Sequence, residues 1–161
     1  VTTKGFRDIL EIGRQRRASL YDFSFERPTP IIPRRFRFEI EERINHRGEI
    51  TLPIELDILP KISAIIKQEN INSVAITLLH SYMNSIHEQK IKQYFEKNHK
   101  DIYISTSFEV SPEHREFERT STTAINAIFV LSVDILSYFD DNDWLFEGLG
   151  FLFLLLFVIF W

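Results

Sequence analysis

Cysteine is absent from the 161 residues. Its absence excludes disulfide bonds, thiolate zinc sites and redox chemistry at sulfur. An excess of positive charge is also lacking, because the formal net charge is -4 at pH 7. Such a chain has no broad positive field to attract nucleic acid, and we expect no nucleic-acid partner. The basic cluster RQRR, at residues 14–17, is interpreted as a solvated loop, with a local anion or partner contact as the alternative.

The sequence also lacks an apolar run that could span a membrane. The run FLFLLLFVIFW occupies residues 151–161, and its 11 residues fall short of the roughly 20 that a transmembrane helix needs. A truncated membrane anchor, a buried terminal element and aberrant sequence are three open interpretations of this run. The first residues, VTTKGFRD, contain neither the basic nor the apolar region of a signal peptide. We therefore expect a cytoplasmic protein without membrane attachment.

Several motifs that define common enzyme classes are missing. The sequence contains no Walker-type P-loop, no G-x-G-x-x-G, no G-x-S-x-G nucleophile elbow and no H-E-x-x-H. With 44% hydrophobic residues, the chain can nevertheless bury a core of ordinary size. The residues alone therefore predict a soluble α/β domain, and they name no reaction.

The apolar pattern predicts one domain over residues 1–139 and a divergent tail over residues 140–161. A short amphipathic helix is expected from residue 6 to about residue 15. The alternation in RFRFEIEER predicts a strand, and the turn NHRGE followed by ITLPI predicts that a returning strand completes a β-hairpin. A helix that follows Asp57 tolerates Pro60 in its first turn, where no intrahelical donor is lost.

The second half of the chain predicts a βαβ unit over residues 73–107. SVAITLL is a short apolar run typical of a strand that is covered on both faces. Ser85 and Glu88 have capping-box spacing ahead of a helix over residues 86–98, and DIYISTS predicts the next strand. Two strands joined by a helix in this way run parallel. Downstream, we expect a short helix after Ser111 and a long helix over residues 121–139.

Polar side chains follow the first strand of this unit. His80, Asn84 and His87 come just past the carboxyl end of a parallel strand, where α/β sheets bind ligands. His80 or Asn84 is a candidate contact for a substrate or phosphate, and structural hydrogen bonding is the alternative. Two histidines with Glu88 could bind a divalent cation, but their spacing matches no stringent metal motif and Glu88 has a capping role. We therefore predict no metal site.

The segment EVSPEHREFERTSTTAINA, at residues 109–127, is dense in charge and hydroxyl groups. Exposed ion pairs contribute only about 0 to 1 kcal/mol each, so stability alone does not explain the density around Glu109, Arg115 and Arg119. Thr122 and Thr123 would lie at the start of the last helix, where free N–H groups favour an anion. Ligand contact, ion pairing at a domain interface and simple capping are all open interpretations.

Four blocks of the sequence, in this order and spacing, resemble one family. They are TTKGFRDILEIGRQ, RRFRFEIEERI, SVAITLLHSYMNSIHE and EVSPEHREFERTSTTAINA. Together they resemble the N-terminal region of the hydantoinase/oxoprolinase A family (5-oxoprolinase or N-methylhydantoinase A-like) over about residues 1–139. Small departures are Ser85, where the family usually has proline, and Ile128, where tyrosine is usual.

The resemblance implies a partial actin/hexokinase-like (ribonuclease H-like) ATPase fold. It implies ATP and Mg²⁺ as cofactors of the intact parent, and a B-type subunit or domain as its partner. The implied reaction is hydrolase chemistry, the ATP-dependent opening of a cyclic amide such as 5-oxoproline or a hydantoin. The family's glycine-rich phosphate loop precedes the TTKGFRD block and is not in this sequence. We therefore expect a fragment that is inactive alone and holds no cofactor, and we assign no catalytic residue.

Two other interpretations stay open at this point. Related A-type chains that resemble this region belong to ketone carboxylases, so the parent could carboxylate a ketone instead. A non-catalytic interaction module, associated with a membrane through its apolar tail, is the alternative outside enzymology.

Overall fold

The computed structural model describes residues 1–14 and 29–138, and it gives side chains in the last helix as far as residue 130. The predicted tail over residues 140–161 and most of the basic cluster lie outside this part of the chain. Within it, no helix is long and apolar enough to cross a bilayer. The elements in chain order are β1 (Thr2–Thr3), α1 (Ile9–Ile12), a 3₁₀ turn (Arg34–Phe36), β2 (Glu39–Ile40), β3 (Arg43–Ile44), β4 (Ile50–Leu52), α2 (Leu59–Gln68), β5 (Ser73–Ile76), α3 (Ile86–Asn98), β6 (Tyr103–Thr106), α4 (Ser107–Val110) and α5 (Glu116–Tyr138).

A row of short parallel strands forms the centre of the fold. β1 pairs in parallel with β2, and β5 pairs in parallel with β6. One isolated parallel bridge, between Thr2 and Thr77, joins the two pairs, which places the four strands in the order β2-β1-β5-β6. The carboxyl ends of all four strands therefore meet at one edge of the row.

The predicted βαβ unit is confirmed. β5 and β6 are in register from Ser73 opposite Tyr103 to Ile76 opposite Thr106, and α3 connects them with the predicted bounds. The predicted β-hairpin is also present, although it is shorter than the sequence pattern suggests. β3 and β4 run antiparallel with a register shift after Arg43, and the strand ends just before Pro53, which cannot donate to the ladder.

The core lies on the side of the sheet that α2 and α3 cover. Val74 and Ile76 of β5 pack there with buried residues of both helices, including Ile62, Ile91 and Phe95. The intervening residue Ala75 lines a small cavity on the other face together with Thr120 and Ala124 of α5. β5 is thus covered on both faces, as its near-continuous apolar sequence predicts.

Two expectations for the N-terminal half are only partly correct. The first helix is limited to α1, because Gly13 adopts a left-handed conformation with φ of 56° directly after it. The strand predicted from RFRFEIEER is broken by the 3₁₀ turn, and only its later part pairs with other strands. Ile40 is fully buried as predicted. The alternation of RFRFEIEER places Arg37 on the face opposite Ile40, toward solvent, but Arg37 is 6% exposed and donates hydrogen bonds to the Ile32 carbonyl and the Glu11 carboxylate.

The last helix differs from the sequence prediction in its start and in its buried face. No helix begins at Ser111, and α5 begins at Glu116, five residues before the expected position. The helical spacing of Ile125 and Ile128 predicts an apolar face, but they are 41% and 45% exposed, whereas Ala124 and Ala127 are buried. Small residues on the buried face allow this helix to lie close to the sheet, and this packing outweighs the spacing of the larger apolar residues.

Replacement of Ile91 by valine should destabilise the fold more than the same replacement at Ile86. Both residues lie in α3, but Ile91 is fully buried and Ile86 is 41% exposed. We expect Ile91→Val to lower the free energy of unfolding by about 0.5 to 1.5 kcal/mol. Ile86→Val should change it by less than about 0.5 kcal/mol. Urea denaturation followed by circular dichroism measures both, and equal effects would contradict the described core.

Candidate functional site

The carboxyl ends of the parallel strands border an open cleft of about 690 Å³. It lies between the turn after β5, the end of α1 and the first turn of α5. Its lining combines charged and aromatic side chains, namely Arg14, His80, Tyr82, Arg115, Glu116 and Phe117. Open α/β sheets bind ligands at this position, so the cleft is the candidate functional site.

Another cavity, of about 210 Å³, lies between α2, α5 and the segment before β2. Its lining is almost wholly apolar and includes Ile66, Phe38 and Ala127, with no titratable side chain. It therefore offers no side chain for acid–base chemistry or for binding a charged ligand.

His80 enters the cleft from an unusual backbone conformation. Its φ is 57°, which lies in the left-handed region that few residues other than glycine adopt. The ring Nδ1 lies 3.3 Å from the Tyr82 hydroxyl, and the two rings meet edge to face. Partial burial lowers the pKa of His80, because desolvation disfavours the imidazolium ion. A neutral imidazole is thus the favoured form at neutral pH, able to donate one hydrogen bond and accept another.

Arg115 is an exposed cation of the cleft that has no ion-pair partner among the described residues. Among the residues that the structure describes, no carboxylate lies within ion-pair distance of its guanidinium, whereas Arg14 is bound to Glu118 at 2.9 Å. An unpaired guanidinium presents several donors in a planar fork and suits a carboxylate or phosphate. Arg115 and His80 are the two sequence-predicted candidates that the structure brings to the cleft.

Glu88 is buried beneath the cleft instead of closing a capping box. Ser85 is the residue before α3, but neither side chain makes the expected capping hydrogen bond. Instead the Glu88 carboxylate accepts hydrogen bonds from the Leu78 N–H at 2.7 Å, the Ser107 hydroxyl at 2.7 Å and the Phe108 N–H at 3.2 Å. Burial raises the pKa of Glu88, and these hydrogen bonds offset part of that rise.

His87 is likewise buried and does not face the cleft. Its Nδ1 lies 2.7 Å from a carboxylate oxygen of Glu42, and the other oxygen of Glu42 accepts a hydrogen bond from the Thr3 hydroxyl. Among the described residues, no group of three or more histidine, aspartate or glutamate side chains is arranged to hold a metal ion. The two histidines of the sequence motif are therefore separated, one in the cleft and one in the interior.

Arg119 is the largest fully buried side chain among the described residues, at 1% exposure. Its guanidinium donates to the carbonyls of Leu78 at 3.0 Å and Glu113 at 2.6 Å, and it lies over the Tyr82 ring. Burial lowers the pKa of Arg119 because no water solvates its charge. The residue fixes the turn after β5 and does not line the cleft.

The remaining candidates have structural partners or lie elsewhere. Asn84 donates to the Gly48 carbonyl at 2.8 Å and so ties the hairpin turn to the start of α3. Glu109 binds Lys92 and Thr106 at the surface. Burial alone would raise the pKa of Glu109, but these two hydrogen bonds outweigh it and lower the pKa.

The threonines do not form the expected anion site. Because α5 begins at Glu116, Thr122 and Thr123 lie in its second turn, where the backbone N–H groups are already engaged. Thr122 is exposed, and the Thr123 hydroxyl donates to the carbonyl one turn earlier at 2.7 Å.

Sequence reasoning overlooked three residues near the cleft. Tyr82 could have been found, since it is two residues after His80 in the same turn. Thr3 and Glu42 carry no local signal, because their contacts join residues 39 and 76 positions apart.

The sequence and the structure were compared with those of known proteins, and both match members of one family. Residues 1–99 match the family described as "Hydantoinase/oxoprolinase N-terminal region". The caprolactamase alpha subunit of Pseudomonas jessenii is 31% identical over 150 residues, which cover 92% of this chain and 21% of that protein. The crystal structure of the ATP-dependent caprolactamase from the same organism superimposes with a TM-score of 0.73 at 28% identity, covering 84% of this chain and 21% of that one.

Two further relatives extend the comparison. An uncharacterised protein of Methanocaldococcus jannaschii is 50% identical over 127 residues, 79% of this chain and 19% of that protein. The acetophenone carboxylase gamma subunit of Aromatoleum aromaticum is 28% identical over 141 residues, again covering 79% and 19%. The chain therefore spans about a fifth of the length of these curated relatives.

Replacement of Glu88 by glutamine should change how stability depends on pH. Because the pKa of Glu88 is raised above its ordinary value of 4.5, the folded state binds this proton more tightly than the unfolded state. The associated stability is fully present below the unfolded pKa and is lost as pH rises through the folded pKa. In Glu88→Gln this loss is absent, so the free energy of unfolding of the wild type should fall relative to that of the variant as pH rises above 4.5.

Denaturant unfolding at a series of pH values measures the difference. Glu96→Gln is the matched control, because Glu96 is an exposed carboxylate in the same helix. Its pH profile should follow that of the wild type. Parallel profiles for the wild type and Glu88→Gln would show that the buried carboxylate does not have the raised pKa.

Proposed function

The chain belongs to the hydantoinase/oxoprolinase family, and from this premise we propose that it works within a larger ATP-dependent subunit that opens a cyclic amide. The observation that carries the proposal is the double match to caprolactamase. That match covers most of the chain in sequence, at 31% identity, and in structure, at a TM-score of 0.73. Because the chain spans about a fifth of that relative, the activity is proposed for the longer subunit and not for these residues alone.

The proposed chemistry uses ATP to activate an unreactive amide. The amide carbonyl oxygen attacks the γ-phosphorus of ATP and releases ADP, and the resulting phosphorylated oxygen makes the carbonyl carbon easier for water to attack. After water adds, the ring C–N bond breaks, the nitrogen takes up a proton and an acyl phosphate is left. A second water hydrolyses the acyl phosphate to a carboxylate and inorganic phosphate. The net reaction consumes one ATP and two water molecules for each ring.

The cleft supplies groups that suit such a substrate. Arg115 can bind a carboxylate or phosphate oxygen, and the neutral His80 can exchange hydrogen bonds with an amide. Tyr82 and Phe117 offer apolar surface to the carbon atoms of a ring. The sequence-predicted contact residues His80 and Arg115 are thus proposed as ligand-binding residues.

Further features are proposed from family membership. We infer an actin/hexokinase-like ATPase fold for the complete domain, Mg²⁺ bound with ATP, a B-type subunit or domain as partner, and a cytoplasmic location. The relatives that are themselves named as alpha and gamma subunits support a multi-subunit assembly.

Ketone carboxylation is the second candidate function. The similarity to the acetophenone carboxylase gamma subunit, 28% over 141 residues, favours it as a specific alternative. We propose that both reactions begin with an ATP-dependent activation, so that the described residues suit either substrate class.

Substrate-stimulated ATP turnover by the complete subunit with its partner distinguishes these functions. We expect ADP release to be stimulated by a cyclic amide from a panel of 5-oxoproline, hydantoin and caprolactam. Acetone and acetophenone, assayed with bicarbonate, test the second candidate in parallel. Stimulation by the ketones alone would replace the first proposal by the second, and stimulation by no compound would favour a non-catalytic module.

Replacement of Arg115 by alanine should weaken ligand use. A hydrogen bond to a charged group contributes about 1.5 to 3 kcal/mol, so we expect kcat/KM to fall roughly 10- to 100-fold. Arg47→Ala is the matched control, because Arg47 is an exposed arginine on the hairpin turn. It should leave kcat/KM within about twofold of the wild-type value. Equal kcat/KM values for both variants would remove Arg115 from the proposed site.

A further inference from the structure

The two residues before His80 are held by side chains from three separate elements. The Leu79 N–H donates to the Thr3 hydroxyl of β1 at 2.8 Å. The Leu78 N–H donates to the Glu88 carboxylate of α3 at 2.7 Å, and the Leu78 carbonyl accepts from Arg119 of α5 at 3.0 Å. Main-chain groups at a strand end normally bond to neighbouring strands or to water, whereas here buried polar side chains take their place.

Each of these side chains is itself fixed by a further partner. Thr3 donates to Glu42, whose other carboxylate oxygen is bound by His87 at 2.7 Å. Glu88 is bound by the hydroxyl of Ser107. The residues that hold the main chain directly, and Glu42 behind them, are at most 2% exposed. The arrangement, which we call the strand-end clamp (Thr3, Glu42, Glu88 and Arg119), therefore has no freedom to rotate away.

Burial of two carboxylates and a guanidinium is a costly way to stabilise a fold. Removing charges from water carries a desolvation penalty, and well-packed apolar side chains of similar size often serve stability as well or better. The strand-end clamp is concentrated on one short segment, the two residues that precede His80. Its placement therefore calls for a role beyond packing.

The backbone conformation of His80 indicates what that role is. A left-handed φ of 57° at a residue other than glycine is strained, and such strain persists only where the surroundings over-determine the backbone. The strand-end clamp fixes the peptide groups on the N-terminal side of His80. On its C-terminal side, the His80 carbonyl accepts hydrogen bonds from Met83 N–H at 2.9 Å and Asn84 N–H at 3.2 Å.

We propose that Thr3 and Glu42, with Glu88 and Arg119, are positioning residues that hold His80 in the orientation required for its ligand contact in the cleft. This inference deepens the proposed function and rests on the role proposed there for His80. The strand-end clamp acts through the main chain of Leu78 and Leu79, so its members need not touch the ligand.

The decisive comparison is between two replacements of Thr3. Thr3→Val removes the hydroxyl that links Leu79 to Glu42 and keeps the branched shape of the side chain. Thr3→Ser keeps the hydroxyl and removes only a methyl group. A purely packing role would make the two variants similar or the serine variant worse, whereas a positioning role makes the valine variant worse and lets serine restore function.

The first readout does not depend on activity. In the 161-residue chain labelled with ¹⁵N-histidine, the His80 ring signals are assigned by their loss in His80→Gln and titrated by NMR. We expect Thr3→Val to move the His80 titration midpoint upward, toward the ordinary histidine value, because a released ring becomes more hydrated. Thr3→Ser and the surface control Thr51→Val should keep the wild-type midpoint. An unchanged midpoint in a folded Thr3→Val chain overturns the proposal.

The second readout is turnover by the complete subunit with the cyclic amide that stimulates it. Misplacement of a contact group by about 1 Å can reduce rate by up to roughly 100-fold, so we expect Thr3→Val to lower kcat/KM by about 10- to 100-fold. Thr3→Ser should stay within about threefold of the wild type. Unaltered turnover in Thr3→Val, despite an altered midpoint, overturns the positioning role.

Two further variants keep the outcomes distinct. If Thr3→Val does not fold, Glu42→Leu replaces it, since it removes both carboxylate oxygens that Thr3 and His87 contact, and the same shift and loss are expected. If His80→Gln leaves turnover unchanged, the proposed ligand contact of His80 is wrong and the positioning role falls with it, while the ATP-dependent ring opening itself is untouched.

Discussion

A carboxylate removed from water must find its hydrogen-bond donors inside the protein, and Glu88 finds two of its three donors on the main chain. One donor belongs to the end of β5 and the others to the residues that follow β6. Because α3 carries the acceptor, the helix cannot shift along the sheet without leaving a buried charge unsatisfied. The relative positions of two strand ends and one helix start are thereby fixed. The floor of the cleft depends on this one group.

Apolar periodicity and short connections predicted those helices and strands whose position depends mainly on neighbouring residues. The bounds of α3 and the parallel pairing of β5 with β6 follow from apolar periodicity and from the constraints on short connections. The start of α5 differs from the prediction, because no helix begins at Ser111 and α5 begins at Glu116, and its buried face follows the small residues Ala124 and Ala127. Packing between residues distant in sequence decides where α5 begins and which face it buries, and no pattern of neighbouring residues reveals that packing.

The candidate site was predictable only in part for the same reason. The position of His80 after a parallel strand identified the correct edge of the sheet, and Arg115 came to the same cleft. The capping box suggested by Ser85 and Glu88 is absent, because the carboxylate is more strongly engaged by the strand ends. His87 is only three residues after Asn84, but it is 1% exposed and lies in the interior. Successive side chains at the start of a helix point about 100° apart, so residues that are neighbours in sequence lie in different surroundings.

The seam between β1 and β5 also has a consequence for biosynthesis. The hydrogen bond from Leu79 to Thr3 joins residues 76 positions apart. At a translation rate of roughly 5 to 20 residues per second, the partner of β1 leaves the ribosome about 4 to 15 s after β1 itself. During that interval the first strand has no neighbour on this side. The nascent chain therefore emerges from the ribosome with β1 before the residues that bond to it at this seam are available.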